Sequence, residues 1–315
     1  MSRIPSVDLR LFLSEKAEDK QQFVQDIGAA FSDIGFVALS GHFLDQNLID
    51  ELYSEVKSFF NLDEEIKKNY EIEGIGGQRG YTSFGKESAK GYKAGDLKEF
   101  WHFGQYEIPE ALKSEYPANV IVSEVPNFNT VGKTAYKKLE KTAVYVLRAL
   151  ALYLGLDERY FDQYVQNGNS ILRPIHYPPI VDEPKDAVRA AAHGDINLIT
   201  LLMGAQGKGL QVQDHQGVWH DAIARPDQLM INVGDMLSRL SNNKLKSTIH
   251  QVVNPERELW GSSRYSIPFF MHPISSMKLN CLEGCVDADH PKQFEDCTAG
   301  EYLHERLVEL GLIKE

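Results

Sequence analysis

Three residues of this sequence have the types and spacing to hold a metal ion. His193-Gly194-Asp195 is followed, 55 positions after Asp195 (250 − 195), by His250, and Arg264-Tyr265-Ser266 comes shortly after. Two imidazoles and one carboxylate form the facial set that holds Fe(II) and leaves positions open for substrates and oxygen. His193 and Asp195 stand two apart, so an extended strand would turn both side chains to one face. Arg264 and Ser266 have the same separation, which would aim a guanidinium and a hydroxyl at one anion. Alone, each fragment says little: His-x-Asp and Arg-x-Ser arise by chance, and a single strand histidine is ordinarily a buried, hydrogen-bonded one. Their order and separation, on segments that read as strands, carry the signal.

The elements that must position these groups are short and mostly extended. Phe23, Ile27, Ala30, Phe31 and Ile34 recur at helical spacing, and Gly35 stops that helix. Phe36 to Leu39 is a compact strand, and Asp45 is an N-cap for a helix burying Leu48, Leu52, Val56 and Phe59. The longest helix carries Val131, Ala135, Leu139, Val146, Leu150 and Leu154 as its stripe, and a short helix is expected over 158–165. Strands follow at 170–179, 190–203, 210–213, 218–222, 228–232, 247–253 and 264–271. So many strands without intervening helices exclude a βαβ parallel sheet. A mainly β fold fits best: a double-stranded β-helix, or jelly-roll barrel of two facing sheets, with a helical N-terminal region bracing its outside. Such a barrel brings His193, Asp195 and His250 to one mouth on rigid strands.

Composition limits the partners. The 315 residues carry a net charge of −12, which argues against nucleic acid, whose phosphates need a basic surface. No apolar run reaches the ~18 residues of a membrane span, and the N-terminus does not read as a secretory signal. The three cysteines, Cys281, Cys285 and Cys297, read as reduced thiols in the cytoplasm. With His290 they offer four nominal zinc ligands, but at irregular spacing and without a Cys-x-x-Cys pair. A chain of this length is compatible with a monomer.

A glycine-rich segment from Gly74 to Gly95 holds the candidate substrate contacts Arg79, Tyr81, Phe84, Lys86 and Lys93. Between Arg79 and Lys98 five basic residues face two acidic ones, an excess of positive charge in an acidic chain. It suggests an acidic small-molecule substrate drawn to a locally positive loop. The bland reading is a solvated loop whose lysines aid solubility.

The ordered set of His193, Asp195, His250, Arg264 and Ser266 resembles the isopenicillin N synthase-like family of Fe(II)- and 2-oxoglutarate-dependent oxygenases, and the likeness extends over most of the chain. It implies Fe(II) on His193, Asp195 and His250, with 2-oxoglutarate as co-substrate bound by Arg264 and Ser266. Tyr177, in Ile175-His176-Tyr177-Pro178-Pro179, matches a family tyrosine that also contacts 2-oxoglutarate. Ile175 and His176 depart from the family's Asn and Tyr, and alternation turns His176 away from the Tyr177 face. The implied organisation is a family N-terminal region over 1–125, bracing helices over 126–168, the jelly-roll core over 169–275 and a C-terminal extension with a helix over 276–315. The implied activity consumes O2, releases succinate and CO2, and hydroxylates a small molecule, with desaturation or ring closure as variants. Because the carboxylate ligand Asp195 is present, halogenation is not expected. The alternatives are an iron oxidase of the same family that uses no 2-oxoglutarate, a non-catalytic small-ligand barrel, and a zinc hydrolase, for which no general base can be named.

Overall fold

The computed structural model describes residues 4–86, 96–181, 183–184, 187–206 and 209–309. Its strands are β1 (Ser6–Asp8), β2 (Phe36–Ser40), β3 (Gly80–Thr82), β4 (Glu99–His102), β5 (Ile171–Leu172), β6 (Ile175–Tyr177), β7 (Ala190–His193), β8 (Ile199–Gln206), β9 (Leu210–Gln213), β10 (Trp219–Asp221), β11 (Leu229–Val233), β12 (His250–Val252) and β13 (Arg264–Met271). The larger sheet runs β1-β2-β11-β8-β13-β6-β4-β3, with β5 added on β13, and the smaller runs β10-β9-β12-β7. Among these strands only β1 and β2 pair in parallel; the other ladders are antiparallel.

Alternation along the central strands sorts side chains between two environments. Ile199, Leu201 and Met203 of β8, Leu229, Ile231 and Val233 of β11, and Ile267, Phe269 and Met271 of β13 enter the main core. There they join Phe23, Ile27 and Phe31 of helix Ala17–Asp33, Leu52, Val56 and Phe59 of helix Gln46–Phe60, and Leu139, Val146 and Leu150 of helix Phe128–Tyr153. The intervening Thr200, Leu202, Met230, Asn232, Ser266, Pro268 and Phe270 line a cavity. The smaller sheet closes over this second face: Val212 packs with Phe36, Ala38 and Met230 in a separate apolar cluster. The result is the expected jelly-roll pair of facing sheets, left open at its edges rather than closed into a barrel.

Local signals acted as their chemistry requires. Asp45 accepts the N–H of Leu48 at 3.0 Å as an N-cap. Gly35 ends its helix at φ 72°, where an added Cβ would fall 2.2 Å from the carbonyl oxygen of Lys246. Several expected spans are shorter than their sequence patterns, among them 218–222, observed as Trp219–Asp221, and 247–253, observed as His250–Val252. The helix expected over 158–165 covers only Asp162–Val165. The strand expected over 170–179 is split into β5 and β6 around Pro174, which has no N–H to give a ladder. The run expected over 190–203 is broken at 194–198, where the chain leaves the smaller sheet for the larger.

Phe59 shows how the helices are locked to the sheet edge. Its ring stacks on Phe128 at 4.9 Å and 14° and meets Trp101 edge-on at 4.9 Å. Phe59→Ala is expected to cost about 3–5 kcal/mol of stability, read as a lower denaturant midpoint. A midpoint unchanged from the parent chain would mean that this aromatic cluster does not hold the helices in place.

Candidate metal centre

The break after β7 builds the site. His193 ends β7 and lies directly opposite His250 on β12, so the two rings project side by side with centroids 4.5 Å apart. Asp195 lies two residues on, past the strand end, so its approach comes from the crossover between sheets rather than from alternation along one strand. One ligand atom from each of His193, Asp195 and His250 lies within 4.8 Å of the others. No other group of three or more such side chains gathers in this way among the described residues. The nominal zinc set of Cys281, Cys285, His290 and Cys297 therefore does not assemble, and its cysteines are unbonded.

Each of the three side chains is oriented from behind. The Nδ1 of His193 donates to the carbonyl of Ala191 at 2.7 Å, and that of His250 to the carbonyl of Thr248 at 3.1 Å. A carbonyl only accepts, so Nδ1 carries the proton and each Nε2 presents a bare lone pair. Thr200 Oγ1 and Asn232 Nδ2 donate to Asp195 Oδ2 at 2.6 and 2.8 Å. Thr200 and Asn232 are themselves directly opposed on β8 and β11. That leaves Asp195 Oδ1 turned toward His250 Nε2, 3.8 Å away. Burial and the neighbouring His250 push the His193 pKa down to about 4. Burial opposes the charge on Asp195, yet His250, His193 and the two hydrogen bonds more than offset it and hold the carboxyl below its usual range. The donor set of two neutral imidazoles and one ionised carboxylate fits a divalent cation.

A second cluster waits for an anion. On the β13–β6 ladder Arg264 faces Tyr177 and Ser266 faces Ile175, so all four side chains share one side of the sheet. Arg264 is 2% exposed, its guanidinium lies 4.9 Å from the centre of the Tyr177 ring, and none of its three nitrogens has a hydrogen-bond partner among the described residues. A buried cation with unmet donors is costly unless something pairs it. Arg189, just before β7, adds a second buried guanidinium 5.8 Å from the same ring, its pKa lowered by burial and by Arg264. No sequence pattern pointed to Arg189, which lies outside both motifs. His176 points to the opposite face as alternation required, stacked on Tyr265 and bound to Glu99 at 2.7 Å.

One cavity of about 490 Å³ joins these clusters, with Tyr177, His193, Asp195, His250 and Ser266 in its wall. That volume is in the range of small-molecule sites. Its wall also includes Gln78, His102, Asn169, Arg173, Phe270 and His272, together with Leu303, Arg306, Leu307 and Glu309 of the C-terminal helix Ala299–Glu309. None of these was singled out for substrate contact from the sequence. The residues that were lie elsewhere. Arg79 is fully buried behind Gln78, and Tyr81 is buried with its hydroxyl on Glu99. Phe84 is half exposed, and Lys86 pairs with Glu71 at 2.7 Å on the surface. None of these four is in the cavity wall. Lys93 lies outside the described residues. Of the three cations the acidic-substrate expectation named, Arg79 and Lys86 are thus outside the cavity wall.

Comparison with known proteins gives these features a family. Residues 166–273 match the model of the 2OG-Fe(II) oxygenase superfamily, and residues 4–124 match that of the non-haem dioxygenase in morphine synthesis N-terminal region. A 2-oxoglutarate-Fe(II) type oxidoreductase, hxnY of Emericella nidulans, is 30% identical over 95% of this chain and 89% of its own. The proline hydroxylase buaE of Petromyces alliaceus is 29% identical over 97% of this chain and 99% of its own. Among solved structures, a 2OG-Fe(II) oxygenase family protein from Caulobacter crescentus is 44% identical, with a TM-score of 0.89 over 98% of this chain and 100% of its own. A full-length Neurospora crassa protein, solved in complex with alpha-KG and thymine, is 28% identical, with a TM-score of 0.86 over 97% and 96% of the two chains. With likeness running end to end in both sequence and fold, the chain belongs to the 2OG-Fe(II) oxygenase superfamily.

Proposed function

We propose that this Fe(II)- and 2-oxoglutarate-dependent oxygenase holds its iron on His193, Asp195 and His250, anchors 2-oxoglutarate through Arg264, Ser266 and Tyr177, and hydroxylates a small molecule in the same cavity. The observation that carries the assignment is Arg264: three guanidinium nitrogens without a hydrogen-bond partner among the described residues, at 2% exposure, on the sheet face that lines the cavity. A carboxylate at the tail of the co-substrate would meet that need with the bidentate geometry a guanidinium favours. Fe(II), when bound, supplies the electrons that couple O2 to oxidative decarboxylation of 2-oxoglutarate, with succinate and CO2 as products.

The protein's own part is positioning and exclusion of water. The ladder of β7 and β12 fixes the two imidazoles, the clamp of Thr200 and Asn232 fixes Asp195 Oδ1, and the C-terminal helix supplies part of the cavity wall. A proline hydroxylase and a thymine complex among the relatives support a small-molecule substrate. The same reading takes the enzyme as a monomer acting on neither nucleic acid nor membrane, consistent with a net charge of −12. No helix among the described residues is long and apolar enough to cross a membrane. A cytoplasmic setting is part of the proposal and rests on the three unbonded cysteines.

Two outcomes follow. His193→Ala, Asp195→Ala and His250→Ala should each abolish 2-oxoglutarate turnover, whereas Thr200→Val or Asn232→Leu, which only loosen Asp195, should weaken metal affinity by about 10–100-fold. Calorimetric titration with Fe(II) under anaerobic conditions separates these, and full affinity in the Thr200→Val/Asn232→Leu pair would remove the clamp from the account. Arg264→Lys should lower 2-oxoglutarate affinity by about tenfold or more, because one charge-assisted hydrogen bond is lost at roughly 1.5–3 kcal/mol. Unchanged 2-oxoglutarate affinity in that variant would mean that the anion sits elsewhere.

A further inference from the structure

Taking the cavity as the active site proposed above, we infer that the primary substrate presents an uncharged amide- or imide-type carbonyl, read by N–H donors of Gln78 and Asn169 that Arg79 holds in orientation from behind.

Arg79 is a buried cation that no carboxylate among the described residues pairs. Arg79 is 0% exposed, and its space exists only because residue 104 is glycine: a Cβ there would fall 1.9 Å from the guanidinium carbon. Its Nη1 donates to the backbone carbonyl of Gln78 and its Nη2 to Asn169 Oδ1, both at 2.7 Å. A guanidinium has donors only, so Asn169 must give it the oxygen and keep Nδ2 on the other side. Asn169 Nδ2 then reaches Gln78 Oε1 in a long contact of 3.5 Å, which turns Gln78 Nε2 outward as well. Both residues line the cavity, and Arg79 does not. Arg79 is therefore a positioning residue: it sets which end of each amide faces the substrate, and its charge strengthens the donors in front of it.

The neighbouring wall agrees. His102 Nδ1 donates to the Gly77 carbonyl at 2.6 Å, so its acceptor is Nε2, and the Nε of Arg173 takes that acceptor. Acceptors on this patch are consumed internally, while amide N–H groups are left facing the cavity. A substrate group placed there must accept. It is neutral rather than anionic because the other cations in the wall are already engaged: Lys98 pairs with Asp96 at 2.7 Å, Arg306 with Glu305 and Glu309 at 2.8 and 2.7 Å, and Arg173 is turned to His102 and lies over the rings of Phe100 and Phe270 at 4.5 and 5.1 Å. Burying an anion against uncharged amides would leave its charge unpaired.

Four six-membered rings test the inference, titrated by calorimetry into the metal-loaded protein saturated with 2-oxoglutarate. Glutarimide and 2-piperidinone carry the neutral carbonyl, piperidine is a cationic donor, and cyclohexanecarboxylate is the anion. The carbonyl rings are expected to bind at least tenfold tighter than the other two. Asn169→Asp replaces the inward donor with an acceptor and should lower carbonyl-ring affinity about tenfold while raising that of piperidine, so the two move in opposite directions. General damage to the fold would weaken every ring alike. Gln78→Glu should act in the same sense, and Arg79→Gln, if it folds, should collapse the ratio of 2-piperidinone to piperidine affinity. The inference is overturned if no carbonyl ring binds, if piperidine or cyclohexanecarboxylate binds as tightly, or if Asn169→Asp and Gln78→Glu both keep the parent preference. Succinate release from 2-oxoglutarate is measured separately on the parent protein. Its absence would count against the iron and 2-oxoglutarate assignment, and the ring titrations speak only to the substrate wall.

Discussion

Asp195 is the point on which the two sheets meet. It sits in the break between β7 of the smaller sheet and β8 of the larger, and two donors from β8 and β11 hold one of its oxygens. Its backbone is tied as well, since the N–H of Asp235 donates to its carbonyl at 2.7 Å. The charge of a buried carboxylate is expensive, and here it is sustained by hydrogen bonds and two adjacent imidazoles rather than by a lysine or arginine. Such a group is stable in its ionised form yet keeps one oxygen for an outside cation. The rest of the molecule can be understood as what is needed to bring that oxygen and the two imidazoles to one point.

The same physical logic, unmet polarity in a dry place, recurs at the other stations of the cavity. On the sheet face beside the cavity, the Arg264 guanidinium has no hydrogen-bond partner among the described residues, and the buried Arg189 next to it contributes a second cation. Asn169 and Gln78 are turned so that donors face inward. Natural proteins rarely leave buried polar atoms unpaired. Where several such atoms share one cavity, the missing partners are best sought in what the cavity binds. The cost is local and is offset by the aromatic and aliphatic core that the outer faces of β8, β11 and β13 make with the helices.

How much of this was legible in the sequence depends on how local each cause was. The types and order of His193, Asp195 and His250, and the shared face of Arg264 and Ser266, were legible from residue type and spacing, but Asp195 joins the two imidazoles through the crossover after β7 and not through the strand alternation the sequence suggested. The caps and stops at Asp45 and Gly35 are equally local. Thr200 and Asn232 were hidden because their role depends on cross-strand register between β8 and β11, and register is set by tertiary packing. The burial of Arg79 was hidden for a related reason: charge counted along the chain does not show that glycine at position 104 makes room for its guanidinium inside, where it donates to Asn169. Part of the cavity wall comes from a helix some fifty residues after His250, a long-range contact that no spacing rule encodes.

The most direct test of the account is the thermal unfolding of the metal-loaded protein with saturating 2-oxoglutarate or 2-oxovalerate. The two ligands share the keto acid head, and only 2-oxoglutarate has a carboxylate at the far end for Arg264. Ligand at about 100 times its dissociation constant stabilises the folded state by roughly 2.7 kcal/mol. The account predicts a clear rise in the unfolding midpoint with 2-oxoglutarate and a much smaller one with 2-oxovalerate at the same concentration. An equal rise with both would show that the buried guanidinium is not waiting for the co-substrate, and the central assignment would fall.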